Sequence, residues 1–433
     1  MKLQSILSKF SFQNTILNRF VKGAFWAVLG NVVIKGLSLI SSVFIARILG
    51  NVDFGELAMI KTTLSVFSLV ATFGLGLTVT KYIAEKKRNN LEEIPQIIAA
   101  ANKITFISGI FLGSLVFILA SVISRKILQS ADLTTPLRIA GVYLFFNAMN
   151  VYQIGVLGGL EAFKQMFKVN IIIGLVSFPI ILVTTYFGGL NGAVIGLTIN
   201  LVINWYLNKK LIKKEVRKLE IKNYKKLSFV YIKNLLRFSY PIALAEGVYS
   251  LSNWALIYLL LYHTDYGEVG IFNSANQWVQ MILFLPASIS RVLLAFLSNQ
   301  IGDTINYKKI LKLNLAFNVL ITLFFAVLIS IFSSFIYELY GKSFEDGVEV
   351  LSILVFSTVP MSVLHILEQV CISKSKSKEI LILKILRQAT LLICALILFN
   401  IVKEASTLAK TWLLGYSIAT VITVIYLFRK KIL

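Results

Sequence analysis

The sequence contains few of the residues on which most enzymes and secreted proteins rely. Its 433 residues include two cysteines and two histidines, which excludes a disulfide framework and a cluster with metal-ligand spacing. Proline is scarce, at six residues, so long uninterrupted helices are permitted. No phosphate-cradling glycine loop, HEXXH motif or GXSXG motif occurs, and the sequence therefore predicts neither direct use of ATP nor a common hydrolytic site.

Charge is also scarce, and most of it is of one sign. Only 15% of the residues are charged, and 43 Lys and Arg face 20 Asp and Glu, which gives a net charge of +23. Hydrophobic residues make up 57% of the chain, and the mean hydropathy is +0.80. Because a soluble protein of this length could not hydrate so apolar a surface, the composition predicts an all-α integral membrane protein.

Long apolar runs alternate with short polar connections along the whole chain. A membrane-spanning helix needs roughly 20 mostly apolar residues. Twelve segments meet this requirement, six on each side of a lysine-rich stretch. The predicted spans are 23–46, 57–79, 98–121, 137–159, 168–187, 190–207, 238–261, 269–290, 313–336, 347–371, 379–399 and 409–428.

A short motif recurs at corresponding places in the two halves. Asp53-Phe54-Gly55-Glu56-Leu57 returns 212 residues later as Asp265-Tyr266-Gly267-Glu268-Val269. A repeat this short can arise by chance, but the same offset maps the first span of one half onto the first span of the other. We therefore predict twelve helices in two six-helix bundles related by a pseudo-twofold axis, the plan of a transporter. The predicted parts are an amphipathic N-terminal segment 1–22, a first bundle 23–207, a basic linker 208–237 and a second bundle 238–433.

The basic residues are distributed unevenly between the two sides of the predicted membrane. Nearly all those in connections lie on the side of the two termini, including eleven in the linker. This asymmetry predicts that both termini are cytoplasmic and that the linker lies along anionic lipid headgroups. The charge is thus explained without a nucleic acid partner. The opposite side carries only Arg125, Lys126, Arg138, Lys342, Lys403 and Lys410.

Polar residues inside the predicted spans recur at helical spacing. Such stripes place several polar groups on one face of a helix, and we expect four such faces to line a wet central cavity. Serine and threonine can instead bond to their own backbone or tighten helix packing. The stripes are Asn31, Lys35, Ser38 and Ser42 in span 1; Lys61, Ser65, Ser68 and Thr72 in span 2; Glu246, Ser250 and Asn253 in span 7; and Asn273, Asn276, Gln277 and Gln280 in span 8.

Cations outnumber acids within and at the ends of the spans. A cavity of net positive charge favours an anionic substrate, and arginine suits phosphate in particular. Glu246 either pairs with Lys35 across the predicted axis or, like Glu368, takes part in ion coupling; His365 is either a proton-coupling site or a packed residue. The cations are Lys35, Arg47, Lys61, Arg291, Lys384 and Arg387, of which Arg47, Lys61 and Arg291 could also reach the membrane interface.

Several short motifs follow one another in order along the chain. They are Lys22-Gly23-Ala24-Phe25-Trp26, Ala46-Arg47-Ile48-Leu49-Gly50, Asp53-Phe54-Gly55, Gly158-Gly159-Leu160-Glu161-Ala162-Phe163, Arg237-Phe238-Ser239-Tyr240-Pro241 and Leu339-Tyr340-Gly341-Lys342-Ser343-Phe344. Together these motifs resemble the Wzx-type repeat-unit flippases, the polysaccharide-exporter branch of the multidrug/oligosaccharidyl-lipid/polysaccharide flippase superfamily. The resemblance covers nearly the whole chain.

The resemblance implies a protein of the bacterial cytoplasmic membrane that is not an enzyme. Its implied substrate is an undecaprenyl-diphosphate-linked oligosaccharide, moved to the outer leaflet for O-antigen, capsule or exopolysaccharide assembly. Alternating access, exchange of H+ or Na+ and a downstream polysaccharide polymerase belong to this hypothesis, whereas a cofactor does not. A drug or metabolite antiporter and a membrane glycan polymerase or transferase are the alternatives. On the leading hypothesis the substrate meets Asn31, Lys35, Lys61, Asn273, Gln280, Arg291, Lys384 and Arg387.

Overall fold

The computed structural model describes residues 2–221, 229–299, 304–374, 376–430 and 432, which form helices and short turns with no strand among them. The helices are α1 Lys2–Thr72, α2 Leu75–Asn89, α3 Ile94–Val122, α4 Thr134–Gly159, α5 Phe163–Arg217, α6 Phe229–His263, α7 Tyr266–Asn299, α8 Thr304–Ile331, α9 Ser333–Tyr340, α10 Gly347–Leu354, α11 Thr358–Ser373, α12 Ser377–Phe399 and α13 Ala405–Arg429.

Many of these helices are long and apolar enough to cross a membrane. Eight such stretches occur in the described ranges, and α6, bent by 51° between its two parts, supplies a ninth. The protein is therefore a multi-pass membrane protein, as the composition predicts. Two of the eight stretches are 53 and 55 residues long, whereas one crossing needs about 20. The predicted count of twelve spans and the pseudo-twofold axis stay predictions.

The helix α5 folds back on itself in the middle. At Gly189 the backbone adopts φ 52° and ψ −137°, which L side chains rarely adopt and which interrupts the helix. Segments 163–188 and 190–217 then pack side by side in opposite directions: Gly192 lies against the Thr184 carbonyl, and Ser177 Oγ donates to Asn200 Oδ1 at 3.0 Å. The break falls in the short connection that the sequence places between spans 5 and 6.

The helix α1 is likewise interrupted, at Gly50 with φ 77°. This break lies in the connection predicted between spans 1 and 2. The predicted second span, 57–79, differs from the structure because Phe73 and Gly74 both have positive φ and end α1 there. The reorientation lets α2 approach α4 closely, with the Gly76 carbonyl packed against Gly155.

The two copies of the repeated motif contact each other. A methyl group built on Gly55 would lie 1.8 Å from the Tyr266 carbonyl oxygen, and one on Gly270 would lie 2.0 Å from the Asn51 carbonyl oxygen. Only glycine permits so close a contact between two backbones. The contact joins the two copies on the side that the charge pattern predicts to be extracytoplasmic. This side is called the outer side below, and the contact is called the outer closure.

Aromatic side chains extend this outer closure. Phe54 meets Phe344 edge to face at 5.9 Å, and both are almost fully buried. The turn at Phe332, which ends α8 before the predicted limit of span 9, lets α9 pack its tyrosines against α7. Ser274 Oγ and Tyr337 OH lie 2.9 Å apart, and Trp278 Nε1 donates to Tyr340 OH at 3.2 Å.

On the opposite side, the helix α5 extends well past its apolar part. The predicted sixth span ends at residue 207, but the helix continues to Arg217 and carries basic residues throughout the extension. At about 1.5 Å per residue, these ten residues add about 15 Å of helix beyond the span. The residues 222–228 of the predicted linker lie outside the described residues, and α6 begins at Phe229.

Candidate substrate cavity

A cavity of about 430 Å³, to which many polar side chains contribute, lies between α1, α5 and α7. Its size falls in the range of small-molecule sites. Four residues that the sequence predicts as substrate ligands meet in it: Lys35 and Lys61 of α1 and Asn273 and Gln280 of α7. The serines Ser38 and Ser42 of the first stripe lie beside them. The structure therefore gathers residues that are up to 245 positions apart onto one surface.

The two halves of the α5 hairpin supply a second group of polar side chains to the cavity. Asn204 Nδ2 donates to Asn200 Oδ1 at 2.8 Å, and Ser177 donates to the same oxygen. Asn170 completes the group. On α7, Asn276 Oδ1 is buried and has no donor among the described residues. Amide and hydroxyl groups arranged in this way can bind the hydroxyl groups of a sugar.

The charge of the cavity comes from two lysines. None of the described lining residues is Asp or Glu. Neither Lys35 nor Lys61 forms an ion pair or a side-chain hydrogen bond within the part of the chain that the structure describes. An unneutralised ammonium group in a low-dielectric surrounding attracts anions strongly. The cavity is therefore suited to a ligand that combines negative charge with hydroxyl groups.

The polar face of α6 does not line this cavity, contrary to the expectation from its stripe. Ser250 Oγ lies 3.1 Å from Ser65 Oγ, and Trp254 Nε1 donates to Thr63 Oγ1 at 3.1 Å. These bonds turn the stripe toward the second half of α1, where it serves helix packing. The polar stripes of α6 and of segment 51–72 thus partly satisfy each other's hydrogen-bonding groups, through the contact between Ser250 and Ser65.

Two of the remaining predicted cations, Lys384 and Arg387, lie in a separate polar cluster between α6, α11 and α12. Lys384 Nζ lies 3.4 Å from Glu246 Oε1, and Arg387 Nη1 lies 2.8 Å from Glu368 Oε1. Lys384 and Arg387 therefore lie outside the cavity, each beside a carboxylate. Among the described residues no ion pair joins Lys35 to Glu246, because Glu246 faces α12 instead.

The other predicted site residues have separate surroundings. His365 Nε2 lies 3.5 Å from Gln369 Nε2 one turn along α11, next to Glu368. Arg47 is exposed close to the break at Gly50. The side chains of Asn31 and Arg291 lie outside the described residues, so their predicted roles stay predictions.

Sequence reasoning missed the contribution of α5. Asn200 and Asn204 have the same spacing of four as the stripes that were recognised, and Asn170 and Ser177 are seven apart. Both spacings put the pairs on one helical face. The helical spacing of these polar residues was therefore visible in the sequence. These spans lie at the end of the first half, however, where the repeated motif does not indicate which residues face the cavity.

The chain matches the polysaccharide biosynthesis protein family over residues 20–299. No curated protein matches it. Among solved structures it resembles an inward-facing multidrug-resistance MATE transporter of the MOP superfamily, with a TM-score of 0.75 and 15% identity over 94% of this chain and 98% of that one.

Two further structures share the fold. An outward-facing multidrug-resistance MATE transporter has a TM-score of 0.66 and 15% identity over 96% of this chain and 95% of that one. A MOP superfamily transporter from Pyrococcus furiosus, described as having a binding pocket of reverse polarity, has a TM-score of 0.70 and 14% identity over 96% and 95%. The family match covers well over half of the sequence, and we conclude that this chain belongs to the polysaccharide biosynthesis protein family and has the fold of MOP superfamily transporters.

Proposed function

We propose that the protein moves an oligosaccharide, linked through a diphosphate to undecaprenol, from the inner to the outer leaflet of the bacterial cytoplasmic membrane. The observation that carries the proposal is a cavity with two unpaired lysines, many amides and no described acid. A diphosphate supplies the negative charge and a sugar supplies the hydroxyl groups that such a lining binds. Membership in a polysaccharide biosynthesis family supports the same substrate class.

The geometry also supports alternating access as the mechanism. The outer side is closed by contact between the two repeated motifs, and the cavity lies on the other side of that closure. The higher TM-score to an inward-facing transporter than to an outward-facing one agrees with this state. The headgroup would enter the cavity, whose lysines and amides suit it, while the apolar tail stays among the acyl chains of the membrane.

Replacing Lys61 tests the proposal. In a strain that depends on this protein, Lys61→Gln should abolish appearance of the lipid-linked sugar in the outer leaflet, while Lys61→Arg retains most transport because it keeps the charge. The measurement is the amount of lipid-linked sugar accessible from each side of the membrane. Lys103→Gln, which removes an exposed lysine of α3 outside the cavity, is the matched control and should transport normally.

The opposite outcome would favour a cation antiporter. If Lys35→Gln and Lys61→Gln each left transport of the lipid-linked sugar unchanged, the cavity lysines would have no role in binding a diphosphate. If the strain lacking the protein were also sensitive to cationic drugs with normal surface glycan, the substrate class would be wrong.

A further inference from the structure

A second concavity, of about 330 Å³, lies on the outside of the helix bundle. It is formed by α3, α4 and segment 190–217 of α5, and among the described residues that line it Arg138 is the only charged one. We call it the lateral groove and define it by Phe117, Arg138, Val142, Ile195, Ile199 and Val202.

The groove opens toward the lipid bilayer. The side chains of Phe117 and Val142 are 53% and 48% exposed, and in a membrane protein this surface faces acyl chains rather than water. Its residues also share one depth. Arg138 is the fifth residue of α4, Phe117 is five residues before the end of α3, and Ile195 is six residues after the turn at Gly189. All three ends lie on the outer side, so the groove spans the outer half of the bilayer.

One helix separates the groove from the substrate cavity. Along segment 190–217, Leu197, Asn200 and Asn204 face the cavity, whereas Ile195, Ile199 and Val202 face the groove. Both sets follow helical spacing on opposite faces. A molecule in the groove would therefore lie against the back of a helix that lines the cavity.

Arg138 provides the groove with an unneutralised positive charge. It is exposed, its guanidinium carbon lies 5.8 Å from the centre of the Phe117 ring, and it has no ion pair within the described part of the chain. The nearby acid Asp132 lies close to Glu56. The first turn of α4 adds its helix dipole to the charge of Arg138, which also favours an anion.

We propose that the lateral groove binds an anionic phospholipid of the outer leaflet. The guanidinium of Arg138 pairs with the lipid phosphate, whose two oxygens match the paired N–H donors of arginine. One acyl chain lies along Val142, Ile195 and Val202. A second copy of the chain fits less well, because two-fold packing at this surface would bring Arg138 toward its own counterpart with no acid of the groove to neutralise the pair.

The retention of phospholipid by the purified full-length protein tests this site. Native mass spectrometry after partial delipidation should show one tightly held phosphatidylglycerol on the wild type and none with added phosphatidylcholine alone. Arg138→Gln should weaken retention about tenfold, because it removes a charge-assisted contact, whereas Arg138→Lys keeps part of it. Val142→Trp should also lose the lipid, since it fills the groove while Arg138 is intact. Arg125→Gln, another exposed cation on the outer side, is the control and should retain the lipid.

Three results would overturn the proposal. Equal retention by the wild type, Arg138→Gln and Val142→Trp would show that the groove does not hold the lipid. Phosphatidylcholine carries the same phosphate together with a cationic choline, so its equal retention would show that the net negative charge of the headgroup is not recognised. A dimer mass that Val142→Trp abolishes would assign the groove to a second copy. Because none of these readouts involves transport, the proposal can fail while the proposed function stands.

Discussion

At the scale of single residues, the same residue types occupy two different environments. Lys35 and Lys61 face a cavity without described acids, whereas Lys384 and Arg387 lie beside carboxylates. The sequence predicts all four as polar groups inside the membrane but cannot tell the paired from the unpaired. The pairing depends on contacts between helices, one of which joins residues 138 positions apart.

The buried pair of Glu368 and Arg387 should stabilise the fold. The two side chains are only 15% and 14% exposed, so removal of the carboxylate leaves an uncompensated buried guanidinium. We expect Glu368→Gln to lower the free energy of unfolding by about 3 kcal/mol. Thermal unfolding in detergent measures the effect. Glu246→Gln is the matched control. It should lower the free energy of unfolding much less, because Glu246 is 51% exposed. A loss no larger than that of the control would show that the pair is not a stabilising element.

The double variant separates charge from packing. Glu368→Gln together with Arg387→Met removes both charges, and it should restore most of the lost stability. No recovery would mean that Arg387 contributes through contacts other than this pair.

Glu268, which precedes the predicted eighth span, should make the stability of the outer side depend on pH. Burial, followed by the nearby carboxylates of Asp265, Asp346 and Glu404, raises its pKa, although the backbone amide of Ala405 opposes the shift. A raised pKa means that the folded protein takes up a proton more readily than the unfolded chain. This contribution to stability is therefore fully present at low pH and is lost as the pH rises through the folded pKa.

The test compares unfolding temperatures at about pH 7 and about pH 5. Acidification should raise the unfolding temperature of the wild type relative to that of Glu268→Gln, because the variant cannot titrate at this position. Glu338→Gln, which removes an exposed carboxylate of α9, should behave like the wild type. An identical pH response in wild type and Glu268→Gln would contradict the prediction.

At the scale of elements, the apolar runs predict most helices, and the short connections between these runs predict where two of the long helices turn. The breaks at Gly50 and Gly189 fall in predicted connections. The break at Phe73 and Gly74 is not predicted, because the run 57–79 is apolar enough to be one span despite its polar stripe, and only the packing of α2 on α4 requires a change of direction. Hydropathy reports the length of an apolar segment and not the path that it follows.

The turn of the α5 hairpin offers a matched pair of neighbouring glycines. Both Gly188 and Gly189 have free space where a side chain would point, but only Gly189 has a positive φ. We expect Gly189→Ala to destabilise the protein by about 1–3 kcal/mol through backbone strain, whereas Gly188→Ala has little effect. Thermal unfolding of the two variants side by side provides the measurement. Equal stabilities would mean that the turn relaxes without strain.

At the scale of the whole molecule, the two copies of the repeated motif lie against each other. The two copies meet through Gly55 and Gly270 at the outer closure. The sequence indicates that the copies are related, but it gives no distance between them. The closure depends on backbones that approach across helices far apart in the chain.

A bulky side chain at Gly270 should prevent this closure. Gly270→Leu would place atoms against the Asn51 carbonyl, and we therefore expect the protein to shift toward an outward-open state. In a background without Cys371 and Cys394, a cysteine at Ser42 in the cavity should react faster with an impermeant reagent added from the outer side. Gly188→Leu, at a position open to space, is the control and should not change the rate. Unchanged labelling in Gly270→Leu would show that this contact does not control access.

The helical extension of α5 has a practical consequence for imaging the protein. Small membrane transporters with short loops provide few features for aligning particles in electron cryomicroscopy. The helix continues without a break from the crossing to Arg217, about 15 Å past the predicted span. A rigid fiducial domain, fused in helical phase after this residue, would report the tilt and rotation of the helix that separates the cavity from the groove.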